Sequence, residues 1–264
     1  MVKVGIYMPS WKTEKYIAET ISSIQAQTFS DWELVIIDDH SPDNTFVAAT
    51  DAAAGDDRIT VLRRKEHAGR IGQVKNEAIG HLGPCEYICH VGSDDTIPPH
   101  CLELFTKLLD SEPDVGAACG TFLAFNDEGK QWEFPHVTND KGFSGERLMR
   151  YMCLYPMRFY RRRVVEQVGG YSNELTSAVD YDLALKLDEV TSIARIEQPV
   201  TYYYRQHHEQ VSTRARPEQN KNAKKALQDA LVRRGLSDKL EVANDAPPFR
   251  LQEKIEEHFI WGSK

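Results

Sequence analysis

Short apolar runs alternate with amphipathic segments through the first half of the chain. Strand-like runs cover residues 2–8, 32–37, 59–62 and 87–91. Apolar positions with helical spacing cover residues 16–27, 46–54, 73–81 and 102–109. This alternation predicts an α/β fold with a mostly parallel central sheet flanked by helices.

The second half of the chain is less regular. Its pattern predicts a strand over residues 115–125, helices over 162–168 and 180–189, and an aromatic strand over 200–204. A further helix is expected over residues 217–234, because Pro217 suits a first turn and Gly235 suits the position past the end. The tail from Ser237 is charged and contains Pro247 and Pro248, so we interpret it as an appendage.

Polar clusters follow three of the predicted strands. They are Pro9-Ser10-Trp11, Asp38-Asp39 and Gly92-Ser93-Asp94-Asp95. Ligands of parallel sheets bind outside the carboxyl ends of the strands. The three clusters therefore predict one shared site.

Composition narrows the class of protein. The 264 residues are 41% hydrophobic and 27% charged, as in an ordinary globular domain. A net charge of −8 argues against a nucleic-acid partner. It does not exclude an anionic ligand, because carboxylates can hold a divalent cation that bridges to a diphosphate.

Localisation signals are absent from the sequence as given. The start resembles no signal peptide, and no apolar stretch reaches the ~20 residues of a membrane span. We expect a cytoplasmic protein, with any membrane association peripheral. The five cysteines form no CxxC pair, so buried small hydrophobes in a reducing compartment are favoured over a zinc site at Cys85 and Cys89.

Each polar cluster also has a structural interpretation. Adjacent carboxylates such as Asp94 and Asp95 repel unless a cation or hydrogen bonds offset the repulsion, but they could also form a turn that caps a helix. The same alternative applies to Asp38-Asp39. Trp11 could belong to the core or stack on a nucleobase. Arg70 and Lys75 could be solvated charges or could reach a base or a diphosphate.

Seven segments of the chain match, in order, a series of motifs found in one enzyme family. They are residues 4–11 (VGIYMPSW), 21–28 (ISSIQAQT), 34–45 (LVIIDDHSPDNT), 69–79 (GRIGQVKNEAI), 86–99 (EYICHVGSDDTIPP), 168–185 (VGGYSNELTSAVDYDLAL) and 203–207 (YYRQH). Together they resemble the inverting, nucleotide-sugar-dependent glycosyltransferases of family 2, which have the GT-A fold.

The resemblance implies roles for particular residues. Asp39 would read the base, with Trp11 against it, and Asp94 would ligate Mn²⁺ or Mg²⁺. His207 would close over the metal or pyrophosphate, and Asp180 would be the general base. The expected nucleotide-sugar contacts are Pro9, Ser10, Trp11, Asp39, Arg70, Lys75, Gly92, Ser93 and Asp95. The implied layout is a catalytic domain over residues 1–212, with a nucleotide-binding half at 1–100 and an acceptor-side half at 101–212, then a mainly helical extension at 213–264.

Besides Lys75, which stands where the family pattern has Arg, two departures from that pattern matter. Gly92 replaces the first Asp of its DxD motif, and Val179 replaces the Glu before the base. A degenerate protein that binds sugar nucleotides without catalysis is therefore an alternative. A nucleotidyltransferase is disfavoured, because no glycine-rich basic loop follows the first strand. Asp180 could also cap the helix that begins beside it.

The sequence indicates the class of donor but leaves several classes of acceptor open. UDP sugars are the commonest donors in the family, with GDP or dTDP sugars as alternatives. We expect the acceptor to enter over residues 143–160, beside Asp180. A glycan, a lipid-linked saccharide or a small molecule would each fit, and the sequence leaves an oligomer open.

Overall fold

The computed structural model describes residues 2–134, 143–208 and 216–254. The strands are β1 Val2–Ser10, β2 Trp32–Asp38, β3 Ile59–Arg63, β4 Cys85–His90, β5 Val115–Cys119, β6 Phe122–Phe125, β7 Gln131–Trp132, β8 Arg158–Arg161, β9 Ser192–Arg195, β10 Tyr202–Arg205, β11 Leu240–Val242 and β12 Leu251–Glu253. The helices are α1 Ile17–Gln25, α2 Thr45–Ala53, α3 Ile71–His81, α4 Cys101–Ser111, α5 Gly145–Leu148, α6 Arg162–Gln167, α7 Val179–Asp188 and α8 Arg216–Arg233.

The central sheet has seven strands in the order β3-β2-β1-β4-β8-β5-β9. Neighbouring strands run parallel except at β8, which is antiparallel to both β4 and β5. A three-stranded sheet β10-β6-β7 and the hairpin β11-β12 complete the described strands. The predicted α/β fold with a mostly parallel sheet is confirmed.

Successive side chains of a strand point to opposite faces of the sheet, so the central strands contribute residues to two hydrophobic cores, one on each face. In β1, Ile6 and Met8 pack with Ile17 of α1 on one face. Tyr7 packs on the other face, in the cluster that includes Val74 of α3. The β1 run is therefore apolar at almost every position, as expected for a strand covered on both sides.

The prediction of a single strand over residues 115–125 is wrong. The segment forms two strands in different sheets, β5 and β6, separated by Gly120 and Thr121. A Cβ at Gly120 would lie 1.8 Å from Thr201 Oγ1, so the backbone of this turn passes against the segment before β10. The apolar pattern of the sequence continues across this turn, so the sequence does not show the break. The break depends on the close approach of Thr201, which is distant in sequence.

The C-terminal segment is part of the core, and the interpretation of its end as an appendage is corrected. Helix α8 buries Leu227 and Leu231 in the same cluster as α7. Beyond the helix, Phe249 is fully buried and stacks on Tyr181 with ring centroids 6.4 Å apart. The predicted boundary between residues 212 and 213 lies outside the described residues.

Other sequence expectations concern the cysteines and the membrane. The five cysteines are free and buried, which agrees with their interpretation as small hydrophobes. Within the described part of the chain, no helix has both the length and the apolar character to cross a bilayer.

The burial of Phe249 makes a prediction about stability. We expect Phe249→Ala to lower the free energy of unfolding by about 3 kcal/mol, because loss of the ring leaves a cavity against Tyr181. Urea denaturation followed by circular dichroism would measure the change. Val232→Ala is the control, since Val232 is 63% exposed on α8. Equal stability of the two variants would contradict a packed C-terminal segment.

Candidate active site

The carboxyl ends of β1 and β2 lie side by side, with Ser10 in register with Asp38. Pro9 and Ser10 are buried, and the Ser10 hydroxyl donates to the carbonyl of Ile37 at 3.4 Å. The next residue, Trp11, is 39% exposed. Trp11 is therefore not a core residue, and its indole lies at the edge of the sheet with Lys12 Nζ 4.5 Å from the ring centroid.

Asp39 organises the segment that follows β3. Its carboxylate accepts the Ala68 N–H at 2.8 Å and lies 2.7 Å from His67 Nδ1 and 3.1 Å from Arg64 Nε. Trp11 stacks on the same imidazole, with ring centroids 5.0 Å apart and planes inclined by 23°. Asp39 and Trp11 thus meet at His67, a residue that sequence reasoning did not single out.

The turn at residues 92–95 follows β4 and is bonded to β10. The Asp95 carboxylate is 4% exposed and accepts the Tyr202 hydroxyl at 2.7 Å and the Arg205 N–H at 2.9 Å. Burial, and then the charge of Asp94, raise the pKa of Asp95 well above its usual range. Asp95 therefore faces the interior and ties the turn to β10.

Gly92 sits where a side chain would collide with this arrangement. Its N–H donates to the Tyr202 hydroxyl at 2.9 Å, and a Cβ at this position would lie 2.5 Å from Asp95 Oδ2. Tyr202 and Asp95 thus occupy the space around the position at which the family pattern has a carboxylate. Ser93 is buried, and its carbonyl accepts the Thr20 hydroxyl at 3.2 Å.

Asp94 lies against His207. Asp94 Oδ2 is 3.0 Å from His207 Nε2, and the two side chains are 23% and 6% exposed. Among the described residues His207 Nδ1 is buried without a hydrogen-bond partner, and its ring lies 4.8 Å from that of Tyr16. An adjacent carboxylate and imidazole fit a divalent cation that completes its coordination with phosphate oxygens and water. Residues 2–134, 143–208 and 216–254 contain no group of three or more metal-ligating side chains.

Arg205 holds the acidic turn in place. Its side chain is buried, and its Nε donates to the carbonyl of Asp94 at 2.9 Å. The guanidinium also lies 3.3 Å from the Asp127 carboxylate and bonds to Glu19 of α1. One cation therefore joins the turn to α1 and to the loop that carries Asp127, and the planar five-donor guanidinium suits this geometry.

Asp180 is the centre of a second charged group. Its Oδ1 lies 2.7 Å from Lys75 Nζ on α3, and its Oδ2 lies 3.4 Å from Arg158 Nη1 on β8. The Asp180 side chain is 29% exposed, whereas that of Lys75 is 3% exposed. Ala178 is the N-cap of α7, so Asp180 does not cap its own helix. Val179 is a buried core residue.

The electrostatics of this group keep Asp180 ionised. Burial by itself would raise the pKa of Asp180, but the charges of Lys75 and Arg158 outweigh it and hold the pKa well below its usual range. Burial, and then the charge of Lys75, lower the pKa of nearby His90 well below its usual value. A neutral imidazole and an ionised carboxylate are therefore expected at neutral pH.

The segment at residues 171–178 leads into α7 and is bonded to α3. Arg70 Nη1 donates to the carbonyls of residues 173 and 174 at 3.2 and 2.5 Å. Asn76 Nδ2 donates to the Tyr171 carbonyl at 2.9 Å. Arg70 thus contacts the segment before Asp180 in this structure, while Lys75 contacts Asp180 itself.

The two charged groups lie at the end of the same strand. His90, near the end of β4, pairs in register with Arg158, and the turn that carries Asp94 begins two residues later. Sequence reasoning missed Arg158 as a partner of Asp180 and gave Arg205 no role. The only signal for Arg205 was its place in the segment at 203–207, and Arg158 gave none, because its importance depends on strand register.

Two solved structures with a similar fold identify the fold of this chain. S. aureus TarS 1-349 in complex with UDP-GlcNAc has a TM-score of 0.72 and 20% identity, covering 87% of this chain and 66% of that chain. The mannosyltransferase PcManGT from Pyrobaculum calidifontis, in complex with GDP-Man and Mn²⁺, has a TM-score of 0.66 and 19% identity, covering 94% and 66%. The fold is the GT-A fold, as the sequence segments implied.

The chain belongs to glycosyl transferase family 2, whose family model matches residues 5–169. Chondroitin synthase of Escherichia coli is 29% identical over 233 residues, which are 88% of this chain and 33% of that protein. Hyaluronan synthase of Pasteurella multocida is 26% identical over 234 residues, which are 89% of this chain and 24% of that protein. The chain thus spans a third or less of the length of these two relatives.

The Lys75–Asp180 pair makes a prediction about stability. We expect Lys75→Met to lower the free energy of unfolding by about 3 kcal/mol at pH 7, since it removes one cation from a mostly buried carboxylate. The loss should shrink below about pH 4, the pKa of Asp in an unfolded chain. A lowered folded pKa contributes stability above that pH, and this stability is lost as the pH falls through the folded value.

Urea denaturation between pH 7 and pH 3 would measure both effects. Lys107→Met is the matched control, because its 2.6 Å pair with Glu103 is exposed and is expected to contribute less than about 0.5 kcal/mol. A Lys75→Met loss no larger than that of the control would contradict the importance of the buried pair.

Proposed function

We propose that this chain is an inverting glycosyltransferase that moves a sugar from a nucleoside-diphosphate sugar to an acceptor hydroxyl. The observation that carries the proposal is the placement of two groups at the end of β4. One is the Asp94–His207 pair, suited to a divalent cation, and the other is the ionised, partly exposed Asp180. Membership of family 2 supports the same reaction class.

A UDP sugar is the favoured donor. The TarS structure contains UDP-GlcNAc and the PcManGT structure contains GDP-Man, so relatives of this fold take nucleoside-diphosphate sugars. In this chain the base would lie against Trp11 and Asp39, beside Pro9 and Ser10. The donor sugar and diphosphate would lie along the turn at residues 92–95, and Arg70 at the start of α3 and Lys75 within it are the proposed basic contacts.

A divalent cation, Mn²⁺ or Mg²⁺, is the proposed cofactor. Asp94 and His207 would hold it, and when bound it would neutralise charge on the leaving diphosphate. Asp95 acts differently, because its oxygens bond to Tyr202 and Arg205. It would keep the turn in the shape that presents Asp94.

Asp180 is the proposed general base. The acceptor oxygen would bond to the anomeric carbon while the bond from that carbon to the diphosphate oxygen breaks. The hydroxyl proton passes to Asp180, and attack from the side opposite the leaving group inverts the anomeric centre. Lys75 and Arg158 would keep the carboxylate ionised and oriented before the acceptor arrives.

The acceptor would enter from the half formed by residues 101–212, over the segment at 143–160. Much of that segment is core, with Leu154, Phe159 and Tyr160 fully buried. A glycan, a lipid-linked saccharide or a small molecule is the proposed class of acceptor. Hyaluronan and chondroitin synthases are among the relatives, which supports a saccharide.

The role of Asp180 is testable by one isosteric change. We expect Asp180→Asn to lower the transfer rate by about 10²- to 10⁴-fold, the usual contribution of a general base. Binding of UDP should be unchanged, because Asp180 contacts neither Trp11 nor Asp39. The assay is release of nucleoside diphosphate from UDP, GDP and dTDP sugars with saccharide acceptors and Mn²⁺.

Asp182→Asn is the matched control. Asp182 lies two residues further along α7 and pairs with Lys186 at 2.7 Å, outside the proposed site. Equal activity of the two variants would remove Asp180 from the mechanism. If the wild-type chain consumed none of the sugar nucleotides, the whole proposal would fail in favour of a non-catalytic binding protein.

The cation site makes a separate prediction. We expect Asp94→Asn and His207→Ala each to weaken Mn²⁺ binding about tenfold or more in the presence of UDP, since second-shell changes alone cost 10- to 100-fold. Isothermal titration with Mn²⁺ at fixed UDP would measure this. His81→Ala, an exposed histidine on α3, is the control. Unchanged Mn²⁺ affinity in both site variants would place the cation elsewhere.

A further inference from the structure

The C-terminal helix α8 contacts the segment that delivers Asp180 to the site. Asn222 Nδ2 donates to the hydroxyls of Thr176 at 2.8 Å and Ser177 at 2.9 Å. The Thr176 hydroxyl in turn donates to Glu218 at 2.6 Å. One helix turn of α8 thus contacts the two residues immediately before Ala178 and the start of α7.

This segment needs outside support because of its backbone. Ala178 has a φ of +57° in the left-handed region. That conformation is strained for a non-glycine residue and persists only where the surroundings enforce it. Asp180 is two residues further on, so any relaxation at residue 178 would change the direction of its carboxylate.

Helix α8 also holds the other end of α7. Arg233 bonds to Glu189 through two nitrogens at 2.8 and 3.0 Å, and Arg234 Nη2 lies 2.9 Å from Asp188. Arg234 Nη2 also donates to the carbonyl of Leu185 at 3.2 Å. The base-bearing helix is therefore bonded at both ends to a helix that follows the family match, which ends at residue 169.

We propose that Asn222 is a positioning residue that orients Asp180 through the turn at residues 176–178, so that α8 is a working part of the catalytic site. This rests on the proposed function, because it assigns Asp180 as the base. Asn222 itself lies outside the segments proposed to bind the donor, and both of its hydrogen bonds end on the hydroxyls of Thr176 and Ser177. Its effect therefore falls on the chemical step and not on donor binding.

The test combines kinetics with hydrogen exchange in the full chain. Asn222→Ala should lower kcat about 10-fold, since small misplacements of a catalytic group cost up to about 100-fold, with the KM for the sugar nucleotide unchanged. Amides of residues 176–180 should exchange faster than in wild type. Gln228→Ala, an exposed amide on the same helix, should leave kcat and exchange unchanged.

A double-mutant cycle separates positioning from a general loss of structure. In the Asp180→Asn background, Asn222→Ala should change the residual rate by less than twofold, because the group it orients is already inactive. An undiminished loss in that background would overturn the proposal.

Hydrogen exchange separates failure of this proposal from failure of the proposed function. Exchange at residues 176–180 that matched the Gln228→Ala control would overturn the role of Asn222, whatever the activity. A wild-type chain with no transferase activity would overturn the proposed function and, with it, the catalytic meaning of the contact.

Discussion

The ion pair of the buried Lys75 and the half-buried Asp180 joins helices α3 and α7. Lys75 comes from α3 and Asp180 comes from α7, 105 residues later. A buried charge without its partner is strongly destabilising, so each residue requires the other in place. Arg158 lies on β8, the strand of the central sheet that is antiparallel to both of its neighbours, and its register with His90 puts the guanidinium beside Asp180. Asp180, its two cationic partners and the end of β4 are in this way one unit.

In the acidic turn at residues 92–95 the constraint is repulsion between like charges, whereas Lys75 and Asp180 attract each other. Adjacent carboxylates at residues 94 and 95 repel, and the structure separates them by function. Asp95 is buried against Tyr202 and the Arg205 backbone, whereas Asp94 remains beside His207. The Arg205 side chain brings one positive charge to this acidic surface. The net charge of −8 is thus compatible with an anionic donor, because Lys75 and Arg158 place positive charge beside Asp180 and the cation proposed at Asp94 would add more.

The sequence predicts much of the fold, except for the break at Gly120 and the packing of Phe249. The alternation of apolar runs predicted β1, β2, β4 and the helices between them, because each such element needs a periodic apolar face of its own. The break at Gly120 was missed, since the apolar pattern continues across it. The packed position of Phe249 was missed because charge and proline dominate the tail around it, and one buried ring carries no periodicity.

The sequence by itself determined the family, the sheet edge at which polar groups gather, and the identities of Asp94, Asp180 and His207 as candidates. These features are local or belong to ordered motifs, so they survive without coordinates. Only the tertiary structure decided their partners: Lys75 and Arg158 for Asp180, Tyr202 for Gly92 and Asp95, and Asn222 for the turn before Asp180. Each of these contacts joins residues more than 20 positions apart. Such partners are selected by strand register and helix packing, which no local pattern of residues encodes.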